Sequence, residues 1–132
     1  MNTRSRQHAA NAHACVSAVV PQPYASKYRA LALSFPIMVL QSGLAQATGF
    51  LRAKSSGENE YQRYLTDLAS ILGKGSGENL HKTVIDSSLP DYQQLTRQAL
   101  DASGWLKRYA QALLKEEQAE APTPTSTEGA QS

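Results

Sequence analysis

Cysteine, long apolar runs and charge of one sign are all scarce in this chain, and each scarcity removes a class of protein. The single cysteine, Cys15, allows no intrachain disulfide and has no second thiol with which to hold zinc, which points to a reducing, cytoplasmic setting. No run approaches the roughly 18 to 20 apolar residues that a membrane span needs, so no membrane is expected among the partners. Cys15 to Val20 is the nearest thing to a signal core, but His8, Asn11 and His13 make the residues before it too polar for export. Thirteen basic against eleven acidic residues leave a net charge of +2, which permits a nucleic-acid surface without announcing one. No segment alternates with period 2, which argues against a sheet, and no internal repeat is present.

What is present is helical periodicity, organised around the apolar stretch Tyr24 to Leu51. At about 100° per residue, Tyr24, Tyr28, Leu31 and Phe35 share one face. Leu33, Ile37, Leu40 and Leu44 share nearly the opposite one. A helix with two apolar faces reads as the central element, packed on both sides. Pro36 lacks the amide that would bond the Ala32 carbonyl and is expected to bend or break this helix, with a second break at Gly43.

Around it, Met1 to Ser5 read as frayed. Ala9, Ala12, Val16, Val19 and Val20 then line one side of a first helix, which ends at Pro21-Gln22-Pro23. Tyr61, Leu65, Leu68 and Leu72 mark another helix, with Glu58 and Glu60 where its dipole favours acids. A glycine-rich loop over 73–77 leads to a short helix carried by Leu80, Val84 and Ile85. Ser88-Leu89-Pro90-Asp91 is a capping box with proline in the first turn. It opens the longest helix, along Tyr92, Leu95, Ala99, Ala102, Leu106, Ala110 and Leu113. The expectation is an all-α, single-domain bundle of five or six helices with a kinked central helix, covering 6–118, and a disordered Thr/Pro/Ser-rich tail over 119–132.

Motifs for catalysis or cofactors are few, and none is expected to make the chain an enzyme. Glu78-Asn79-Leu80-His81 has the E-x-x-H spacing of di-iron bundles, but those sites need two such motifs and two further glutamates. A metalloprotein using Glu78 and His81 therefore stands only as an alternative. His8 and His13, five residues apart, point in different directions and read as exposed or partly buried bystanders. The glycine-rich loop lacks the G-K-[ST] of a phosphate-binding loop. A helical DNA-binding regulator, the other alternative, would need a short turn before a basic recognition helix, and the helix pairs here are joined by glycine- or proline-rich loops instead.

The basic residues cluster as three doublets on expected helices: Lys27 with Arg29, Arg52 with Lys54, and Lys107 with Arg108. By spacing alone they form solvated charged faces, with Lys27 bordering a polar stripe that includes Ser34 and Gln41. Three blocks in order add something further: Lys27-Tyr28-Arg29-Ala30-Leu31-Ala32-Leu33 with Pro36, Gly43-Leu44-Ala45-Gln46-Ala47 with Phe50-Leu51, and Trp105-Leu106-Lys107-Arg108-Tyr109-Ala110. Over about residues 4 to 116 the chain resembles the small helical subunit of the type III-B CRISPR effector, the Cmr complex. The resemblance implies a non-catalytic protein that binds no cofactor and packs beside other effector subunits and copies of itself along a guide RNA and its target RNA. It also implies RNA-facing roles for Lys27, Arg29, Lys107 and Arg108, which stand in the matching blocks; Arg52 and Lys54 are included as the remaining doublet. Ser34 and Leu40 stand where that family often carries basic residues. Tyr28, Leu31, Pro36, Gly43, Leu44, Phe50 and Trp105 read as core, hinge or cap positions.

Overall fold

The computed structural model describes residues 2–116, and the expected disordered tail lies outside them. Six helices follow one another: α1 (Thr3–Val19), α2 (Ala25–Ser42), α3 (Leu44–Lys54), α4 (Glu60–Ile71), α5 (Gly77–Asp86) and α6 (Leu89–Leu113), with no strand among the described residues. The two longest contacts in the bundle run along α6, against α1 and α2, while α4 touches elements on every side.

Local chemistry sets the helix starts. The side chains of Asn2, Asn59, Ser76 and Ser88 accept hydrogen bonds from the backbone amides of Ser5, Gln62, Asn79 and Asp91, which satisfies donors that have no partner within the helix. The Ser88 cap is the one the S-x-x-D pattern predicts. At the other end of the chain the Asn2 cap starts α1 at Thr3, within the segment read as frayed. Ser5 is held there from α6, since it donates to Asp101 Oδ1 at 3.0 Å and accepts from Trp105 Nε1 at 3.0 Å.

The central stretch differs from its sequence reading in two ways. Pro36 sits inside α2, which continues through it to Ser42, and the break falls at Gly43, whose φ of +88° lies where L side chains rarely go. The second apolar face of α2 is also not core: Ile37 is 51% and Leu40 72% exposed, and Leu33 is half-buried. The buried face of α2 is Tyr28, Leu31, Ala32, Phe35 and Val39. Leu44 escapes exposure because Gly43 redirects the chain, placing Leu44 on α3 with Ala47, Thr48 and Leu51 in the core. Of the two breaks expected in 24–51, the one at Gly43 is the one that separates two helices, and it leaves Ile37 and Leu40 exposed on α2 while Leu44 is buried on α3.

A polar network crosses this core. The Tyr28 hydroxyl donates to Asp67 Oδ2 at 2.7 Å, and Arg63 Nε donates to Asp67 Oδ1 at 3.1 Å, joining α2 to α4. Burial raises the Asp67 carboxyl above its ordinary range, opposed by the Tyr28 bond and the Arg63 charge. Burial, reinforced by Asp67, pushes the Cys15 thiol up to about 12, which disfavours the thiolate, and the half-buried side chain packs against the core. Tyr64 is fully buried against Tyr28 and Phe35 at ring separations of 5.5 and 5.1 Å.

Candidate nucleic-acid interface

The three basic doublets do not form one surface. On a helix, residues two apart point about 200° away from each other, so each i, i+2 pair is split across its helix. Lys27 is exposed and lines a cavity of about 380 Å³ between α2 and the α3–α4 pair, with Ser34, Phe50, Glu60 and Tyr61. Lys54 reaches the same region, its Nζ 5.9 Å from the centroid of Phe50, whose ring meets Tyr61 edge-on at 5.8 Å. Arg29, by contrast, is half-buried, and its Nε is enclosed without a hydrogen-bond partner among the described residues. Arg52 turns toward α5, where its guanidinium lies 3.5 Å from Glu78.

That contact also accounts for the E-x-x-H motif. Glu78 meets Arg52, and His81 Nδ1 lies 2.8 Å from Thr48 Oγ1, so both residues clasp α5 to α3. Gly49 makes room for the imidazole: a Cβ there would stand 3.3 Å from His81 Cε1. Partial burial, then the Arg52 charge, lowers the His81 pKa below its ordinary 6.5. Among the described residues no group of three or more His, Cys, Asp or Glu side chains is arranged to hold a metal ion.

The third doublet leads to a surface that spacing alone did not show. Lys107 is half-buried, and Arg108 is exposed with its guanidinium carbon 4.9 Å from the Trp105 ring centroid. Trp105 stacks on Tyr109 at 6.0 Å with planes 23° apart, and His13 of α1 meets Tyr109 edge-on at 5.0 Å. Arg108 lines a cavity of about 240 Å³ with Ser5, Asp101, Gly104 and Trp105. Ser5 and Asp101 also line the next cavity, about 250 Å³, whose walls include Arg4 of α1 and Arg97 of α6.

Three guanidinium groups therefore share the groove between α1 and α6, and two of them, Arg4 and Arg97, lie outside the sequence doublets. The signal for Arg97 was its distance from Arg108: eleven residues is close to three full turns, which returns to the same face. Arg4 carried no such signal, because its segment was read as frayed. The carboxylate in this groove, Asp101, is engaged, accepting from Ser5 and lying 2.7 Å from the Nδ1 of His8. His8 is buried at 5% exposure, rather than the exposed or partly buried bystander its spacing implied, because α1 packs that face onto α6.

Guanidinium beside an indole, with further cations along the same groove, is an arrangement that neutralises phosphates and offers flat surfaces to bases. No described helix is long and apolar enough to cross a membrane.

Comparison with known proteins identifies relatives along almost the whole described chain. A family model described as CRISPR-associated protein (Cas_Cmr5) matches residues 4–113. The CRISPR system Cmr subunit Cmr5 of Thermus thermophilus is 36% identical over 116 residues, spanning 88% of this chain and 100% of the relative. The X-ray crystal structure of a CRISPR-associated Cmr5 family protein from Thermus thermophilus superimposes with a TM-score of 0.81 at 36% identity, covering 87% of this chain and 100% of that one.

Proposed function

The chain belongs to the Cmr5 family of CRISPR-associated proteins, and from that premise we propose that it is a non-catalytic, RNA-binding small subunit of a type III-B effector complex. In this reading it acts in the cytoplasm, packs beside the other effector subunits and neighbouring copies of itself, and holds guide and target RNA by their phosphates. The observation that carries the RNA role is the α1–α6 groove, where Arg108 lies over Trp105 and Arg4 and Arg97 line the adjoining cavity. Lys27 and Lys54, flanking the Phe50–Tyr61 pair, form a second and smaller cationic site.

The mechanism is positioning. Cations fixed on rigid helices release counterions from the RNA backbone, which adds affinity that ignores sequence and weakens with salt. Sequence is read by base pairing between guide and target, so the subunit needs no contacts to base edges. Few cations per copy mean weak binding alone, which stacking of several subunits along one RNA would multiply. The reading without catalysis is supported by where the perturbed groups lie: Cys15 and Asp67 belong to the core network, and His81 is engaged with Thr48 between α3 and α5, away from the α1–α6 groove.

The test replaces Lys27, Arg97 and Arg108 by Ala within the assembled complex and follows target RNA binding against salt. Weaker binding with a shallower salt dependence is expected. Unchanged affinity and slope would remove these residues from the RNA role.

A further inference from the structure

The α1–α6 groove does not stop at Arg97. Gln94 and Gln98, which line the cavity of Arg4 and Arg97, also line a cavity of about 540 Å³ between α5 and α6. Its walls bring in Lys74 and Lys82. Three cavities thus adjoin through shared side chains, Gln94 and Gln98 at one junction and Ser5 and Asp101 at the other. The α6 residues on this route, 91, 94, 98, 101, 104 and 108, step by three or four and so hold to one face of the helix. At 1.5 Å per residue the route is about 26 Å long.

We propose that this continuous groove is a track for a single RNA strand, and that Lys74 and Lys82 are phosphate-binding residues at the end opposite Trp105. The inference rests on the RNA-binding reading given above and extends it to residues at the α5 end that neither the doublets nor the matching blocks include.

Charge favours a polyanion along the track. Lys74, Lys82, Arg4, Arg97 and Arg108 face three carboxylates, and two of these are already engaged. Asp101 is held by Ser5 and His8, and Asp91 occupies the first turn of α6, where the exposed amides and the helix dipole favour it. Asp86, the last residue of α5, is the third. Between the cations the walls carry Asn79, Gln94 and Gln98, whose amides can both donate and accept, as a ribose hydroxyl requires. A single strand fits better than a duplex because its unpaired bases can stack on a flat group, and the exposed Arg108 guanidinium, which lies over the half-buried Trp105 ring, supplies one at one end. At about 3.4 Å per stacked nucleotide the track holds no more than about eight.

The test uses the full chain and fluorescein-labelled oligouridylate of twelve nucleotides, with affinity measured over a range of salt and the fold of each variant checked by circular dichroism. The pair Lys74→Ala and Lys82→Ala is compared with the pair Arg97→Ala and Arg108→Ala. Each pair should weaken binding and make the slope of log affinity against log salt shallower by about 1.4, at about 0.7 per phosphate contact on a single strand. A duplex of the same length should bind no more tightly than the single strand. If the arginine pair weakens binding and the lysine pair leaves affinity and slope unchanged, the track is wrong and the RNA-binding reading survives. If neither pair has an effect, the track falls together with the α1–α6 groove as the RNA site; tighter binding of the duplex, with both pairs weakening it, overturns the single-strand assignment alone.

Discussion

Asp67 shows how a single buried charge can tie elements together at a cost. Its carboxylate accepts from Tyr28 and Arg63, yet burial still leaves its pKa raised. A carboxyl whose folded pKa exceeds its unfolded value binds its proton more tightly when folded. Its contribution to stability is therefore fully present below about pH 3.8 and is lost as pH rises through the folded value. Wild type should accordingly lose stability relative to Asp67→Asn as pH rises across that window, read from urea midpoints at several pH values; a constant difference would contradict the shift. Tyr28→Phe removes the shorter bond and should destabilise by about 1–3 kcal/mol, as expected for a buried hydrogen bond to a charged group. His81 works in the opposite sense. Its pKa is lowered from 6.5, so the stability it contributes is present above about pH 6.5 and is lost as pH falls through the folded value. Replacing His81 by Gln should flatten that part of the pH dependence of thermal unfolding.

Among the elements, the α2–α3 corner is where sequence reasoning was least complete. The helices themselves were legible because caps and apolar spacing are local: Ser88 caps α6, and Leu65 and Leu68 are buried on α4. Which faces find partners is not local. Ile37 and Leu40 have the spacing of a core stripe and lie in solvent, because burial depends on how Gly43 aims α3. The candidate site divides in the same way. Arg108 could be picked out from its neighbours in the chain, whereas Arg4 joins it only because α1 lies along α6. Gly43→Ala should be costly for two separable reasons. The backbone there has φ +88°, and a Cβ would stand 3.1 Å from the Tyr92 hydroxyl, which accepts from the Ala45 amide at 3.1 Å. A loss of about 1–3 kcal/mol in chemical denaturation is expected. Gly77→Ala makes a useful comparison, since its φ is not positive but its Cβ would meet Leu65 Cγ at 2.6 Å. Its cost, about 1–3 kcal/mol, would come from overpacking rather than backbone strain.

At the scale of the whole molecule, one pair of exposed apolar side chains stands apart from the groove along α6, lining none of its three cavities. Ile37 and Leu40, 51% and 72% exposed on one side of α2, are that pair. Exposed apolar residues contribute little to the fold that carries them, so Ile37→Asn with Leu40→Asn should change the stability of the isolated chain by no more than about 0.5 kcal/mol per site. If a neighbouring subunit covers these side chains in the effector complex, polar replacements there would leave unpaired amides facing an apolar partner. The double variant should therefore fold normally, bind oligouridylate as the wild type does, and be depleted from effector complexes isolated by a tag on another subunit. Arg97→Ala with Arg108→Ala should give the reverse pattern, entering the complex but weakening its hold on RNA. Incorporation of the α2 variant at wild-type stoichiometry would show that this face stays in solvent in the assembly, and would move the protein contacts to another part of the bundle.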